Sequence, residues 1–450
     1  MSGNSVDVAE PPQAARDAAL GRPRQRRRRV LRYGAVAVAA AAAAVPGMLV
    51  TPAARAAAAH GSDVAHAAPA QGGPATSFPP KANSAWVYDI RGETGSYVGN
   101  IRSYNAEATT GHRLNEVFSY GTDMEMYCPD NDGTQCTAGD LHSYYTAGSG
   151  GPTRTAAYYQ AFAAGHPGSF AISPIIDGRM DSNGYLQGFN ELSPDLAAGF
   201  ADQVASQVCA DPHVAGIQFD LEPFNVTSKN GQYYFYREIG KDFAGKHSGS
   251  PRQDPYGCVD ATHPHGRFFS VFTFAASVWP GTASAANVQN ILNAYGNGYF
   301  LDSLYDLSSA PAGTLNGISA YRSAVGREAT DMKRWANRLQ IKYGFGIPAS
   351  ASAHEYTTCT ASPDATDSCV PAARDATGYP MLDYTKAAVD AIDRSGAPHD
   401  PRYIGTAIWD FGDHVSWNGL NFGPVPAPTD VLGYLATHLP GSQSPGAVSN

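Results

Sequence analysis

The sequence has no Cys-x-x-Cys pair, no His-x-x-x-His spacing and no glycine-rich turn after its first expected strand. The first two absences remove the usual zinc frameworks, and the third removes the phosphate cradle of dinucleotide-binding folds. The net charge of −9 is accompanied by no basic patch beyond the amino-terminal arginines, which argues against a nucleic-acid partner. No low-complexity break divides the chain after residue 82, and its apolar amino-terminal run is shorter and less hydrophobic than a bilayer span needs. No cofactor, no metal, no nucleic acid and no membrane contact are therefore expected of the mature chain, and a monomer is the expected state.

What the amino terminus does contain reads as an export signal. Arg26-Arg27-Arg28-Arg29 precedes an almost pure Ala/Val run from Gly34 to Val50, and Ala54-Arg55-Ala56 supplies a small-x-small cleavage site. A basic region, a modestly apolar core and such a site predict a signal peptide over residues 1–56 and a secreted product. Paired arginines before a weakly hydrophobic core point to the twin-arginine route, although four arginines would also serve an ordinary secretory signal. Residues 57–82, rich in Ala, Gly, Pro and Ser without an apolar period, predict a disordered tether. Residues 83–440 are expected to form one domain and 441–450 a flexible tail. All six cysteines fall in the exported part, so disulfides are expected, most simply between neighbours: 128–136, 209–258 and 359–369.

Short β-branched or aromatic runs alternate with helical stretches along the mature chain. The expected strands are Trp86–Asp89, Glu116–Tyr120, Phe170–Ile176, Val214–Glu222, Phe268–Phe274, Phe300–Asp306, Ile341–Ile347 and Tyr403–Trp409. The expected helices are Thr155–Ala164, Asp195–Ala210, Gln232–Lys246, Ala285–Tyr295, Ile318–Arg338, Tyr384–Arg394 and Thr429–His438. This alternation predicts an α/β fold with a parallel sheet, and eight units predict a closed (β/α)8 barrel rather than an open doubly wound sheet. Functional residues of such a barrel gather at the carboxyl ends of its strands. Acids stand at or just past several of those ends: Asp89, Asp177, Asp220, Glu222, Asp306 and Asp410. A ring of acids is costly unless it is used or paired.

The fourth expected strand is the most informative. In Gly216-Ile217-Gln218-Phe219-Asp220-Leu221-Glu222-Pro223, alternation puts Gln218, Asp220 and Glu222 on one face and Ile217, Phe219 and Leu221 on the other. Two carboxylates on one face raise the pKa of one of them, as a general acid near neutral pH requires. The competing reading is a structural carboxylate–arginine pair, with Arg179, Arg237 or Arg267 as partner.

This segment resembles the signature strand of glycoside hydrolase family 18, the chitinase and endo-β-N-acetylglucosaminidase family, whose pattern is D-G-x-D-x-D-x-E. Gly216, Asp220 and Glu222 match; Ala215 and Gln218 depart from it. The resemblance implies that Glu222 protonates the glycosidic oxygen. It also implies that Asp220 holds a substrate 2-acetamido group that attacks the anomeric carbon, an exception to the two-carboxylate scheme. Leu304-Tyr305-Asp306 resembles the family's M-x-Y-D segment, which implies Tyr305 beside the acetamido carbonyl and Asp306 on sugar hydroxyls. Ile408-Trp409 resembles the position of the tryptophan under the cleaved sugar, and a Trp face suits the apolar side of a pyranose. Asp177, Asp410 and Tyr88 are further candidates for substrate contact, with Gln218 donating a hydrogen bond to Asp220 where the family has an acid.

Three alternatives stand beside this reading. A glycosidase acting on a glycan without acetamido groups would pair Glu222 with Asp177, Asp306 or Asp410 as nucleophile or base. A non-catalytic carbohydrate-binding barrel would keep the aromatic cleft, although such barrels usually lose the glutamate. A metal hydrolase using the acid ring is the third, with only His263, His265 and His354 to support it.

Overall fold

The computed structural model describes residues 78–442 apart from 91, 131, 147, 167, 181–183, 248–253, 306, 308–316, 351–356, 360–368, 372–378, 418–419 and 427–428. For 357–359, 369–371, 412–417 and 420–426 it describes the backbone alone. The expected signal segment, most of the expected tether, the end of the expected tail, Asp306 and His354 lie outside the described residues.

Eight parallel strands close into a barrel: β1 (Ser84–Tyr88), β2 (Glu116–Met126), β3 (Ile175–Arg179), β4 (Gly216–Glu222), β5 (Phe268–Thr273), β6 (Gly298–Ser303), β7 (Tyr343–Pro348) and β8 (Tyr403–Trp417). Each pairs with the next, and β8 returns to β1, whose other edge holds β2. The helices are α1 (Thr94–Glu107), α2 (Gly151–Phe162), α3 (Pro194–Cys209), α4 (Gly231–Phe243), α5 (Ala283–Asn293), α6 (Ile318–Leu339), α7 (Met381–Ser395) and α8 (Thr429–His438). The chain is a (β/α)8 barrel.

Local chemistry explains the boundaries. Ser193 caps α3 by accepting from Leu196 N, with Pro194 at the first helical position; Asn230 and Thr282 cap α4 and α5 in the same way. Along α3, Ala197, Phe200, Ala201, Val204, Ala205 and Val208 make one buried stripe at helical spacing. The outward side chains of β4, Ile217, Phe219 and Leu221, join this layer, where Phe219 meets Phe235 and Tyr236 edge-on. Each such fully buried side chain contributes ~1.5–3 kcal/mol. A second core fills the barrel interior with Trp86, Phe118, Ile175, Phe268, Tyr299, Leu301, Ile404 and Ala407.

Several boundaries differ from expectation. The third strand breaks into Ala171–Ile172 and β3 because Pro174, between them, has no N–H to give the ladder. The sixth strand ends at Ser303 rather than Asp306: Ser303 Oγ donates to Tyr305 O at 2.7 Å and holds the chain in a bend. β2 runs six residues beyond its expected end and pairs with Leu141–Ser143, and β8 runs on into an antiparallel pairing with Leu420–Pro426. Helix α1 was not among the expected helices. Its Gly95 and Gly99 lower helix propensity, and its buried side is built from Tyr97, Val98, Ile101 and Tyr104. Phe78–Ala82, expected in the tether, pack onto the barrel instead: Phe78 sits against Phe268, and Lys81 Nζ donates to Pro401 O and Tyr403 O.

Disulfides join Cys128 to Cys136 and Cys209 to Cys258. The second ties the end of α3 to the loop before β5. Cys359 and Cys369 face each other in a two-stranded antiparallel ribbon; their side chains lie outside the described residues.

Candidate active site

The carboxyl ends of β2, β3 and β4 bring four acids together. Asp123 and Asp177 are ladder partners, as are Asp177 and Asp220, and Glu222 follows Asp220 on the same face of β4, opposite Arg179. Glu222 is exposed, whereas Asp177 and Asp220 are half-buried. Burial, then the charges of Glu222 and Asp177, push the Asp220 carboxyl well above its usual range. Burial, then Asp123 and Glu222, push Asp177 up to about 7. The cluster therefore retains protons near neutrality.

Asp220 receives one hydrogen bond, from Tyr88 OH to Oδ2 at 3.1 Å; its buried Oδ1 has no partner among the described residues. Gln218 does not reach Asp220, contrary to expectation. Its Oε1 accepts from Trp86 Nε1 at 3.1 Å and its Nε2 donates to Phe219 O at 2.9 Å, so it is spent on fixing Trp86 inside the barrel. Tyr88, at the end of β1, supplies the donor instead.

Asp123 was missed from the sequence because simple alternation turns it away from the mouth. The pairing of β2 with β3 shifts register between Tyr120 and Thr122, which inverts the phase of the strand from there on. Gly121 permits the shift, since a Cβ there would lie 2.6 Å from Ile175 O. Tyr120 OH donates to Asp123 Oδ1 at 2.8 Å and holds it in place.

An aromatic cluster adjoins the acids. Trp409 stacks on Tyr305 with ring centroids 5.0 Å apart and meets Trp86 and Tyr88 edge-on at 5.3 and 5.5 Å. Tyr305 also stacks with Phe272 at 5.6 Å. Gly346 leaves room for this, because a Cβ there would come within 3.0 Å of Trp86 and 3.2 Å of Tyr305. Trp409 is half-buried, while Tyr305 is almost wholly covered and lies past the strand rather than on it. Asp410 is fully buried, with its backbone N–H directed to Ser350 Oγ at 3.3 Å, so it does not stand open at the mouth.

The competing arginine pairs do not form at Arg237 or Arg267. Arg267 bonds Asp260 and Cys258 O, and Arg237 bonds Asn290. Asp89 is a structural acid: Thr94 Oγ1 and Tyr158 OH donate to Oδ2 at 2.7 and 3.2 Å, and Arg154 Nε lies 3.7 Å from Oδ1. His263 bonds Asp260, away from the acid cluster.

No family model matches the chain, and no curated protein matches it. Its fold is similar to several solved structures. A family 18 chitinase from Pseudoalteromonas aurantia is 11% identical, with a TM-score of 0.37, over 79% of this chain and 99% of that one. A family 18 chitinase from Crocus vernus is 15% identical, with a TM-score of 0.36, over 68% and 86%. An endo-β-1,4-glucanase from Xanthomonas axonopodis pv. citri is 11% identical, with a TM-score of 0.42, over 75% and 90%. The barrel is similar to those of family 18 chitinases at low sequence identity.

Proposed function

We propose that the chain is an exported glycoside hydrolase acting on β-linked, N-acetylglucosamine-containing glycans, with Glu222 as general acid and then general base. The observation that carries this reading is Asp220. It is a proton-retaining carboxyl steered by Tyr88, with a buried oxygen that has no partner among the described residues, two residues from an exposed glutamate and near an aromatic floor. The pattern Gly216, Asp220, Glu222 and its resemblance to family 18 supply the acetamido part of the proposal. The two disulfides support an oxidising compartment.

In the proposed reaction, Trp409 takes the apolar face of the sugar at the bond to be cut. The substrate acetamido N–H donates to Asp220 Oδ1, and its carbonyl oxygen attacks the anomeric carbon. Glu222 gives its proton to the departing glycosidic oxygen as the C–O bond breaks. Asp220, ionised, balances the positive charge on the cyclised acetamido group. Its resting proton is available to the neighbouring carboxylate, since Glu222 is the charge that acts most strongly on it. Water, deprotonated by Glu222, then opens the ring and restores the acetamido group with the original configuration. A second reading rests on Asp177, the ladder neighbour of Asp220, which could serve as the second carboxylate on a glycan lacking the acetamido group.

The deciding experiment compares the mature protein and Glu222→Gln on chitin oligosaccharides and a broad glycan panel. Cleavage of acetamido sugars by the native protein alone supports the proposal. Cleavage of other glycans only removes the acetamido role of Asp220 and favours the second reading. Equal glycan binding by both proteins without cleavage identifies a carbohydrate-binding barrel.

A further inference from the structure

A second polar cluster lies on the outer layer of the barrel, between α3 and the carboxyl end of α4. Asp202 projects from α3, Glu238 and Asp242 are four residues apart on one face of α4, and His247 follows the end of that helix. One ligand atom from each of the four lies within 4.8 Å of all the others. His247 Nδ1 is 2.8 Å from Asp242 Oδ1, 3.3 Å from Asp202 Oδ1 and 3.5 Å from Glu238 Oε1.

Three carboxylates this close repel each other, and the nearby cations among the described residues do not answer all of them. Lys241 Nζ reaches Glu238 Oε1 at 2.7 Å, while Arg237 turns away to Asn290 and Lys246 lies over the Tyr295 ring. Asp242 is fully buried, and its Oδ2 has no hydrogen-bond partner among the described residues; Asp202 Oδ1 is buried as well, with His247 Nδ1 3.3 Å away. Crowded acids with a buried oxygen that meets no donor are strongly unfavourable unless a proton or a cation sits among them, so the cluster calls for an occupant. The Tyr256 ring, 5.2 Å from the imidazole, covers one side.

The donor set identifies the class of occupant. Ca2+ takes six to eight oxygen ligands, and imidazole is not among its usual ligands. An imidazole nitrogen with carboxylate oxygens suits a borderline ion such as Zn2+. Bonds of about 2.0–2.1 Å in a tetrahedron put ligand atoms ~3.4 Å apart, close to the separations around Nδ1. We propose that Asp202, Glu238, Asp242 and His247 bind one divalent transition-metal ion, with Zn2+ preferred, as a clamp between α3 and the end of α4. The spacing D-x35-E-x3-D-x4-H follows none of the familiar zinc patterns, which is why the sequence alone does not suggest the site.

The test is equilibrium dialysis of the chelator-stripped full chain against Zn2+, with metal content and thermal unfolding measured beside His247→Gln and Asp242→Asn. The expected result is about one Zn2+ per chain and a Tm rise of about 5 °C on loading the native protein. His247→Gln, altering a partly exposed side chain, should fold, bind at least ~10-fold more weakly and lose most of the Tm rise. Metal-free Asp242→Asn should melt at or above the metal-free native protein, because an unpartnered buried carboxylate is gone. Equal Zn2+ uptake by the native protein and His247→Gln would overturn the site, as would no uptake or a preference for Ca2+. None of these readouts depends on whether the barrel mouth is catalytic.

Discussion

Asp89 and Asp220 occupy comparable places, each at or beside the carboxyl end of a barrel strand, and burial raises the pKa of both. Their surroundings diverge from there. Asp89 is met by Thr94, Tyr158 and Arg154, which offset part of the cost of burial and lock α1 and α2 to the end of β1. Asp220 has one donor among the described residues, Tyr88, and the charges that act on it are acidic. A strand-end position marks a candidate acid, but its partners decide the role. An acid surrounded by donors holds the fold, whereas an acid left with an open oxygen beside other acids is available to a substrate.

The strongest way to break this comparison is at the exposed acid. Glu222→Gln should lower kcat ~10³-fold, within the range for loss of a general acid, while Tm stays close to native because the side chain is exposed. Steady-state kinetics on the best glycan and a thermal melt test both halves; retained kcat would remove Glu222 from the chemistry. The paired aspartates should then part company. Asp220→Asn should cost ~10²-fold in kcat with stability unchanged or improved, since a buried carboxyl that ionises only at a cost is replaced by a permanently neutral amide. Asp89→Ala should cost ~3 kcal/mol, because three donors lose their acceptor, and the fraction that remains folded should keep its kcat. Chemical denaturation with activity per folded molecule separates these outcomes, and the reverse pattern would mean that partner count does not distinguish the two acids. A smaller effect is expected at the aromatic floor. Trp409→Ala should raise KM ~10-fold with a lesser change in kcat, as lost stacking weakens ground and transition states alike.

The residues explain which parts of this picture were legible beforehand. The barrel was readable because each β-run is followed by an amphipathic stretch, and β4 declares its two faces by strict alternation from Ile217 to Glu222. What was hidden depends on tertiary contacts. Asp123 enters the mouth only because Gly121 lets β2 slip its phase against β3. Gln218 reads as a hydrogen-bond donor to Asp220, yet its Nε2 goes to Phe219 O while Trp86, 132 positions away in the chain, claims its carbonyl oxygen. Tyr305 read as a strand-end residue, but Ser303 turns the chain first and the ring slides beneath Trp409. α1 escaped notice because its two glycines and its tyrosine-rich buried side blur the helical period.

The smallest expected effect concerns protons at the mouth. Asp177 is raised from an ordinary 3.8 to about 7, by burial first and then by Asp123 and Glu222. Between those values the folded chain holds a proton that the unfolded chain has released, so stability falls as pH rises through this window. Above about 7 the folded state must carry the charge, and the penalty is complete. The native protein should therefore melt at a higher temperature at pH 5 than at pH 8. Glu116 sits in the same window, raised to about 7 by burial despite donors from Ser84 and Ser173, and Asp220 shifts in the same direction. Asp177→Asn should flatten this slope without abolishing it, and should raise Tm more at pH 8 than at pH 5. Melting curves across that range would read the difference directly. An unchanged slope in Asp177→Asn would mean that Asp177 is already ionised in the folded chain at pH 5, and it would then retain no proton near neutrality.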